Sequence, residues 1–469
     1  MLTIYGVLIV IAGAIFRGAG WFYLAAICTI FGATAAAAFG GATILPAVEA
    51  SGFIFLYALW ILHERTGRSV RIRMGSQQFW LILFVLYAAV TAVVMPRLFS
   101  DGSVMAYMND RASGLAVLPL MPVKPVSTNF TQTLYLVLGV LLTVALAYIV
   151  SIRERASLLA DAFLVAGALN VVFAAIGFTQ QFGAPDLLAV FKNGNYAMMA
   201  GSVGGLIRIS GCFSETSGWS AYSLGLLAFS QSLWIDGYRP KFSGFVAVAT
   251  LGFLLISTSG TAYGGLALLS ACVYGAFLYR KIRRQSYARD HIYIWALWLG
   301  LLALILILLF VPQVVQIVVD FFDTTVGNKL ESSSGVERSS WTAQAWSNVI
   351  STYGLGTGLG TNISSNFVAL LISNTGWFGT LLYVLFMYQS LFGTPSSKRG
   401  DAAPDVDWRV IRAGRWGMVG VLSAAVFSAR VFDLGVPFFM YAAAAGYYQL
   451  VVSKQGVQTL SAFKTRTAA

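Results

Sequence analysis

Hydrophobic runs long enough to cross a bilayer as a helix, roughly 20 residues each, recur along the whole chain with short polar breaks between them. The pattern predicts spans at about 2–16, 19–39, 44–62, 79–95, 132–150, 159–182, 219–235, 242–257, 263–279, 292–313, 366–392, 416–429 and 438–452. Alternating segments of ~10 residues, which would mark a membrane β-barrel, are absent. The expected fold is all-α: a polytopic integral membrane protein of 12–14 transmembrane helices, forming a single membrane domain over residues 1–469.

Composition agrees with the pattern. Hydrophobic residues make up 58% of the chain and charged residues 10%, with a mean hydropathy of +0.76, too little polar surface for a soluble domain of this length. The net charge of +12 does not point to nucleic acid, because the basic residues form no single patch. They fall in five short clusters: Arg65/Arg68/Arg71/Arg73, Arg153/Arg155, Arg239/Lys241, Arg280 to Arg289, and Lys398 to Arg412. If the spans alternate, all five lie on one side, which the positive-inside rule makes cytoplasmic. The tail with Lys454, Lys464 and Arg466 then lies inside as well. Thirteen spans place Met1 outside and an even number places it inside. The first run leads into further spans rather than a small-residue cleavage site, so no cleavable signal peptide is expected.

The longest polar interval between spans, Lys329 to Asn366, is then the centre of interest. It closes a large non-cytoplasmic loop, 314–365, expected to carry a short amphipathic helix, and 183–218 forms a second such loop. In the first loop Arg338, with Trp341 and Ala345 following at helical spacing, is expected to open a helix lying on the membrane, an end that favours anions. Its alternative is a solvated arginine paired with Glu337 or Glu331. In the second loop Arg208 either snorkels to headgroups or clamps phosphate, for which a planar, permanently charged guanidinium is suited. Glu215, at a helix start, is the best-placed carboxylate for a general base, or else an ion-pair partner for Arg208. Arg430 and Asp433 form a possible local pair, and Arg430 can add a third positive charge to the site. Trp341, Trp346 and Tyr353 can stack on sugars or sit in an interfacial aromatic belt.

Other features carry less. Glu49 is an acid inside a predicted span, while Asp320 and Asp323 read as interfacial caps, and Asn129 and Thr131 as caps of the helix after 131. Cys28, Cys212 and Cys272 have no metal-ligand spacing, and His63 and His291 sit beside basic clusters. No metal site and no nucleotide loop is expected: the turn GLGTGLG lacks the Lys-Ser/Thr of a phosphate loop and reads as a connector back to the membrane. No cofactor is called for.

Three stretches resemble the O-antigen polymerase and ligase superfamily of membrane glycosyltransferases, closest to its exopolysaccharide polymerases. They are RISGCFSETSGWSAYSLGLL, LLISTSGTAYGGLALL and ERSSWTAQAWSNVISTYGLGTGLG, the last followed by a late span with Gly376 and Gly379; PVSTNFTQTLY is a weaker match. The resemblance implies an inner-membrane enzyme with its active site facing the periplasm. It implies an undecaprenyl-diphosphate-linked oligosaccharide as substrate, membrane lipid around it, and a flippase and chain-length regulator as partners. Arg208 and Arg338 match the two arginines that hold the donor diphosphate. Ligases of the superfamily carry a histidine after the Gly-rich turn, where this chain reads TNISSNFVALLISNTGWFG, so a polymerase is favoured over a ligase. Gly260 stands where polymerases often have arginine. A secondary transporter or flippase, the reading of another class, would show paired intramembrane charges, broken helices and matching halves.

Overall fold

The computed structural model describes residues 1–39, 42–65, 70–108, 118–153, 155–194, 202–203, 206–283, 292, 333–393 and 407–454. The predicted span 292–313, residues 314–332 with Asp320 and Asp323, and the loop 394–406 lie outside this set, apart from residue 292.

The described chain is an all-α bundle with four small two-stranded sheets. Its helices are α1 (Ile4–Ile15), α2 (Gly20–Cys28), α3 (Pro46–Arg65), α4 (Ser76–Leu98), α5 (Ser127–Arg153), α6 (Ser157–Phe178), α7 (Thr216–Ile235), α8 (Pro240–Ile256), α9 (Gly260–Ile282), α10 (Ser333–Ser351), α11 (Phe367–Phe392), α12 (Trp408–Ala425) and α13 (Val436–Gly446). Six of the described stretches are long and apolar enough to cross a membrane: Pro46–Glu64, Ser76–Leu98, Ser127–Arg153, Ser157–Phe182, Gly260–Ile282 and Phe367–Phe392. The protein is therefore a multi-pass membrane protein. Most predicted spans coincide with helices, because at this depth an apolar run can satisfy its peptide groups only within itself.

Two predicted spans differ. The run 19–39 is helical only to Cys28 and then becomes an irregular segment and a hairpin, β1 (Ala37–Phe39) with β2 (Ala42–Ile44). A run rich in Gly, Thr and Ala, 32–43, carries the hydropathy of a span without the side chains to pack as one. The run 438–452 is helical only to Gly446 and ends in the strand Val451–Lys454, antiparallel to the strand Val70–Arg73.

The two ends of the bundle differ in charge. One carries the described basic residues Arg153, Arg239 and Arg412, in ion pairs Arg153–Glu64 at 3.4 Å, Arg239–Asp161 at 2.7 Å and Arg412–Asp236 at 2.8 Å. At the opposite end the Met1 amino group donates to Ala38 O, Ala33 N to Cys212 O and Gly194 N to Ala33 O. Met1 thus lies at the end away from the basic clusters, as an odd number of crossings requires.

The Gly-rich turn is not a simple connector. Residues Thr357, Leu359, Thr361, Asn362 and Ser364 are buried, and the loop is locked into a break in α11. There Gly376 leaves the helical region at φ 67°, ψ −173°, a conformation essentially limited to glycine. The backbone groups freed by the break are taken up: Thr357 N donates to Ser373 O, Gly358 N to Asn374 O and Trp377 N to Gly354 O. Asn374 Oδ1 accepts from the amides of Thr361 and Asn362, each at 3.2 Å. Asn129 lies inside the first turn of α5 rather than before it, and its Oδ1 caps the helix start from there by accepting from Val126 N at 2.8 Å. Its side-chain amide donates to Leu359 O at 2.7 Å and Thr361 Oγ1 at 2.8 Å, tying α5 to the loop.

A Cβ at Gly376 would lie 2.4 Å from Gly354 O. Gly376→Ala is expected to cost about 2–3 kcal/mol, read as a lowered midpoint of thermal unfolding in detergent. Gly52→Ala, on a helix position with open space around it, should leave the midpoint unchanged or raise it.

Candidate functional site

Residues 206–215 reach the end of the bundle opposite the basic clusters and are braced from two sides. Cys212 O accepts from Ala33 N, and Gly211, at φ +52°, leaves its Cα face against the indole of Trp219. Trp219 is buried and donates to Asn170 Oδ1 at 3.1 Å, so the first turn of α7 fixes the segment preceding it. Glu215 is the N-cap residue of α7, but its side chain makes no capping hydrogen bond.

That carboxylate faces Arg338 instead. The Arg338 Nη2 to Glu215 Oε2 distance is 3.9 Å, with about a quarter of each side chain exposed. At this separation the contact is an ion pair without a hydrogen bond. The partner of Arg338 is thus not its neighbour Glu337, while the suggested attraction between Glu215 and Arg208 is present as well. Arg208 lies close to both of them. Loss of hydration lowers the Arg208 pKa, the Glu215 carboxylate opposes this, and the positive charge of Arg338 adds to it. A guanidinium stays protonated through such a shift, so two cations share one carboxylate.

Arg338 does not open its helix. α10 begins at Ser333, which puts Arg338 in the second turn, beyond the amides that create an anion-binding end. Its position is set by packing. Trp341 and Ala345 are buried, at 2% and 0% exposure, and Ser365 Oγ donates to Arg338 O at 3.2 Å. Ser365 O accepts from Ala429 N, which brings up the next residue, Arg430. The Arg430 guanidinium carbon lies 5.0 Å from the centroid of the Trp341 ring, a cation–π contact. Trp341 is therefore an internal brace for Arg430 rather than an exposed platform for a sugar. Trp346, on the other side of α10, and Tyr353, in the turn that follows it, face outward at 44% and 90% exposure. Arg430 and Asp433 do not pair: the Asp433 carboxylate accepts from Gly435 N at 3.0 Å.

A third element closes the site. The turn between α8 and α9 is Ser257-Thr258-Ser259, all buried. Thr258 has a positive φ of 52°, and Ser259 Oγ caps α9 by accepting from Ala262 N at 3.4 Å. Tyr263, one turn into α9, is close enough for its charge state to bear on Arg208. The sequence motif containing this turn was visible, but none of its residues was singled out for the site. Their signal was a run of hydroxyl residues between two apolar helices.

Several buried donors here have no hydrogen-bond partner among the described residues: Arg208 Nε, Ser217 Oγ, Thr258 Oγ1 and Trp341 Nε1. Buried polar groups are seldom left so, and leaving one unmade costs about 1–3 kcal/mol. An acceptor-rich anionic group would fit this donor set. Among the described residues no group of three or more His, Cys, Asp or Glu side chains is disposed to hold a metal ion. Glu49 lies in the first turn of α3 with Oε2 buried and unpaired, and no contact joins it to the arginines.

Comparison with protein-family models, with curated proteins and with solved structures returned no match. Any assignment of class rests on the residues themselves.

Asp433 retains some surface but is hemmed in by the loop it caps, and desolvation pushes its carboxyl up to about 6 from 3.8. The folded form then holds the proton more tightly than the unfolded form. Its contribution to stability is complete below about pH 4 and is lost as pH rises toward 6, a change of about 3 kcal/mol. Unfolding measured from pH 4 to 7 should show that decline in the wild type and a flatter profile in Asp433→Asn.

Proposed function

We propose that the chain is a polysaccharide polymerase of the bacterial inner membrane, with its site on the periplasmic face. It transfers a glycan from an undecaprenyl-diphosphate carrier to a lipid-linked repeat unit. One observation carries this reading: Arg208 and Arg338, 130 residues apart in sequence, share the Glu215 carboxylate, and Arg430 stands beside Trp341, one turn from Arg338. Two guanidiniums sharing one carboxylate, with a third close to the Trp341 brace, leave a surplus of positive charge suited to a diphosphate.

In the proposed reaction the acceptor hydroxyl oxygen attacks the anomeric carbon of the donor. The new C–O bond forms as the bond from that carbon to the diphosphate oxygen breaks, with inversion, and the bonding pair leaves on the diphosphate. Arg208 and Arg338 stabilise the charge that accumulates there, and fixed cations at developing charge are a large catalytic term. Glu215 accepts the acceptor's proton. Binding of the diphosphate draws Arg338 away from Glu215, which frees the carboxylate for that role. Trp346, on the far side of α10, and Tyr353, in the turn that follows it, take no part. A flippase would supply the substrate and a chain-length regulator would limit the product.

A ligase of the same superfamily would use the same arginines, and the absence of histidine from residues 361–379 supports a polymerase. The break at Gly376 favours a transporter, whose broken helices present free backbone to a substrate. Here that backbone is already hydrogen-bonded to residues 354–358, which supports the enzyme.

Arg338→Ala is expected to abolish polymer while single lipid-linked repeats persist, seen by gel analysis of extracted glycans; polymer of normal length in that variant would sink the assignment. Glu215→Gln should slow transfer about 100-fold or more if Glu215 is the base, with little change in donor affinity.

A further inference from the structure

The face of α10 turned away from the bundle is apolar at its C-terminal half. Trp346 and Ile350, four apart, stack on one face of the helix, and Tyr353, in the turn just past its end, is exposed as well. Ile350 is 80% exposed, and Leu355 continues the stripe past the end of the helix. The buried residues Trp341, Ala345, Val349 and Thr352 occupy the opposite face against the body of the protein. Exposed side chains of this kind need a partner when they form a contiguous patch.

Two observations identify the partner. First, the chain from Ser339 to Ser397 contains no charged residue, although its first part was expected to lie in a polar outer loop. Second, the stripe runs into the outer face of α11, one of the helices able to cross the membrane. Trp377 donates its amide to Gly354 O at 2.9 Å, and Trp377, Phe378, Leu381 and Val384 are each more than half exposed. The stripe is therefore continuous with a lipid-facing surface.

We infer that α10 is an interfacial helix, with Trp346, Ile350, Tyr353 and Leu355 embedded in the acyl boundary of the leaflet at the site end. Amphipathic helices bury an apolar face to a depth of about 5–10 Å in this way, and Trp and Tyr are at home at that level. The helix does not lie free on the bilayer: protein holds one side and lipid the other. Arg338 is thereby held at headgroup depth, where a lipid-borne phosphate would lie. This last point deepens the proposed function, whereas the embedding of the stripe stands apart from it.

A nitroxide at Ile350→Cys, in a Cys272→Ser background, tests the inference in lipid nanodiscs, since Cys28 and Cys212 are buried. Collision rates with oxygen and with a water-soluble nickel chelate report depth. The label should favour oxygen, as a label at Leu381→Cys does, and unlike one at exposed Asp101→Cys in the loop after α4. A nickel accessibility at position 350 equal to that at position 101 would overturn the inference. The measurement needs no turnover, so an inactive protein with an embedded stripe would leave the anchor standing while the polymerase reading failed.

Discussion

A peptide group inside an apolar bundle must find its hydrogen bond within the protein, because neither lipid nor bulk water supplies one there. The break in α11 meets that demand by pairing with the Gly-rich loop. The interrupted helix leaves backbone groups at Ser373, Asn374 and Trp377, and residues 354–358 answer each of them. Side-chain amides complete the arrangement: Asn374 serves the loop from α11 and Asn129 serves it from α5. Neither partner is stable as it stands without the other. Their union joins the end of α10 to the start of a membrane-crossing helix, and it is this joint that aims Arg338.

The site follows from that rigid joint and from a second one at Trp219. Arg208 hangs from a segment fixed by α7, and Arg338 from a helix fixed by α10 and the loop behind it. The two meet over Glu215, whose position as a backbone cap leaves its side chain uncommitted to the helix. Cations held this close would repel strongly without the carboxylate, and the carboxylate would be poorly solvated without the cations. Several buried donors in these segments, Arg208 Nε, Ser217 Oγ, Thr258 Oγ1 and Trp341 Nε1, have no partner among the described residues.

The helices were legible in the sequence because span length and hydropathy are dictated by the bilayer. Arg208, Arg338 and Glu215 were also legible, as rare charges in outer loops. What escaped was whatever depended on contacts between distant segments. Trp341 looked like any interfacial aromatic until its burial against Arg430 became visible. The partner of Arg338 lies more than a hundred residues away, so its near neighbour Glu337 was the natural but wrong suggestion, and Glu331 lies outside the described residues. The Gly-rich turn was assigned as a connector because alternating glycines signal freedom locally, whereas positive φ at Gly354, Gly356, Gly358 and Gly360 serves close packing. The run 19–39 misled because hydropathy counts alanine and glycine as membrane residues without asking whether they pack as a helix.

The packing of α7 bears on how the protein is made. α7 is buried along nearly its whole length, and its neighbours include α12: a Cβ at Gly420 would lie 2.4 Å from Leu224 O, and Arg412 of α12 holds Asp236 at its end. α12 is synthesised almost two hundred residues later. Until then the α12-facing side of α7, at Leu224 and Ala228, must wait in the bilayer or shelter among the helices already inserted. A nascent chain released before α12 would carry Arg208 and Glu215 on an α7 still missing one of its main packing partners. The full packing of α7, the helix that Glu215 opens, thus waits for a segment made near the end of translation.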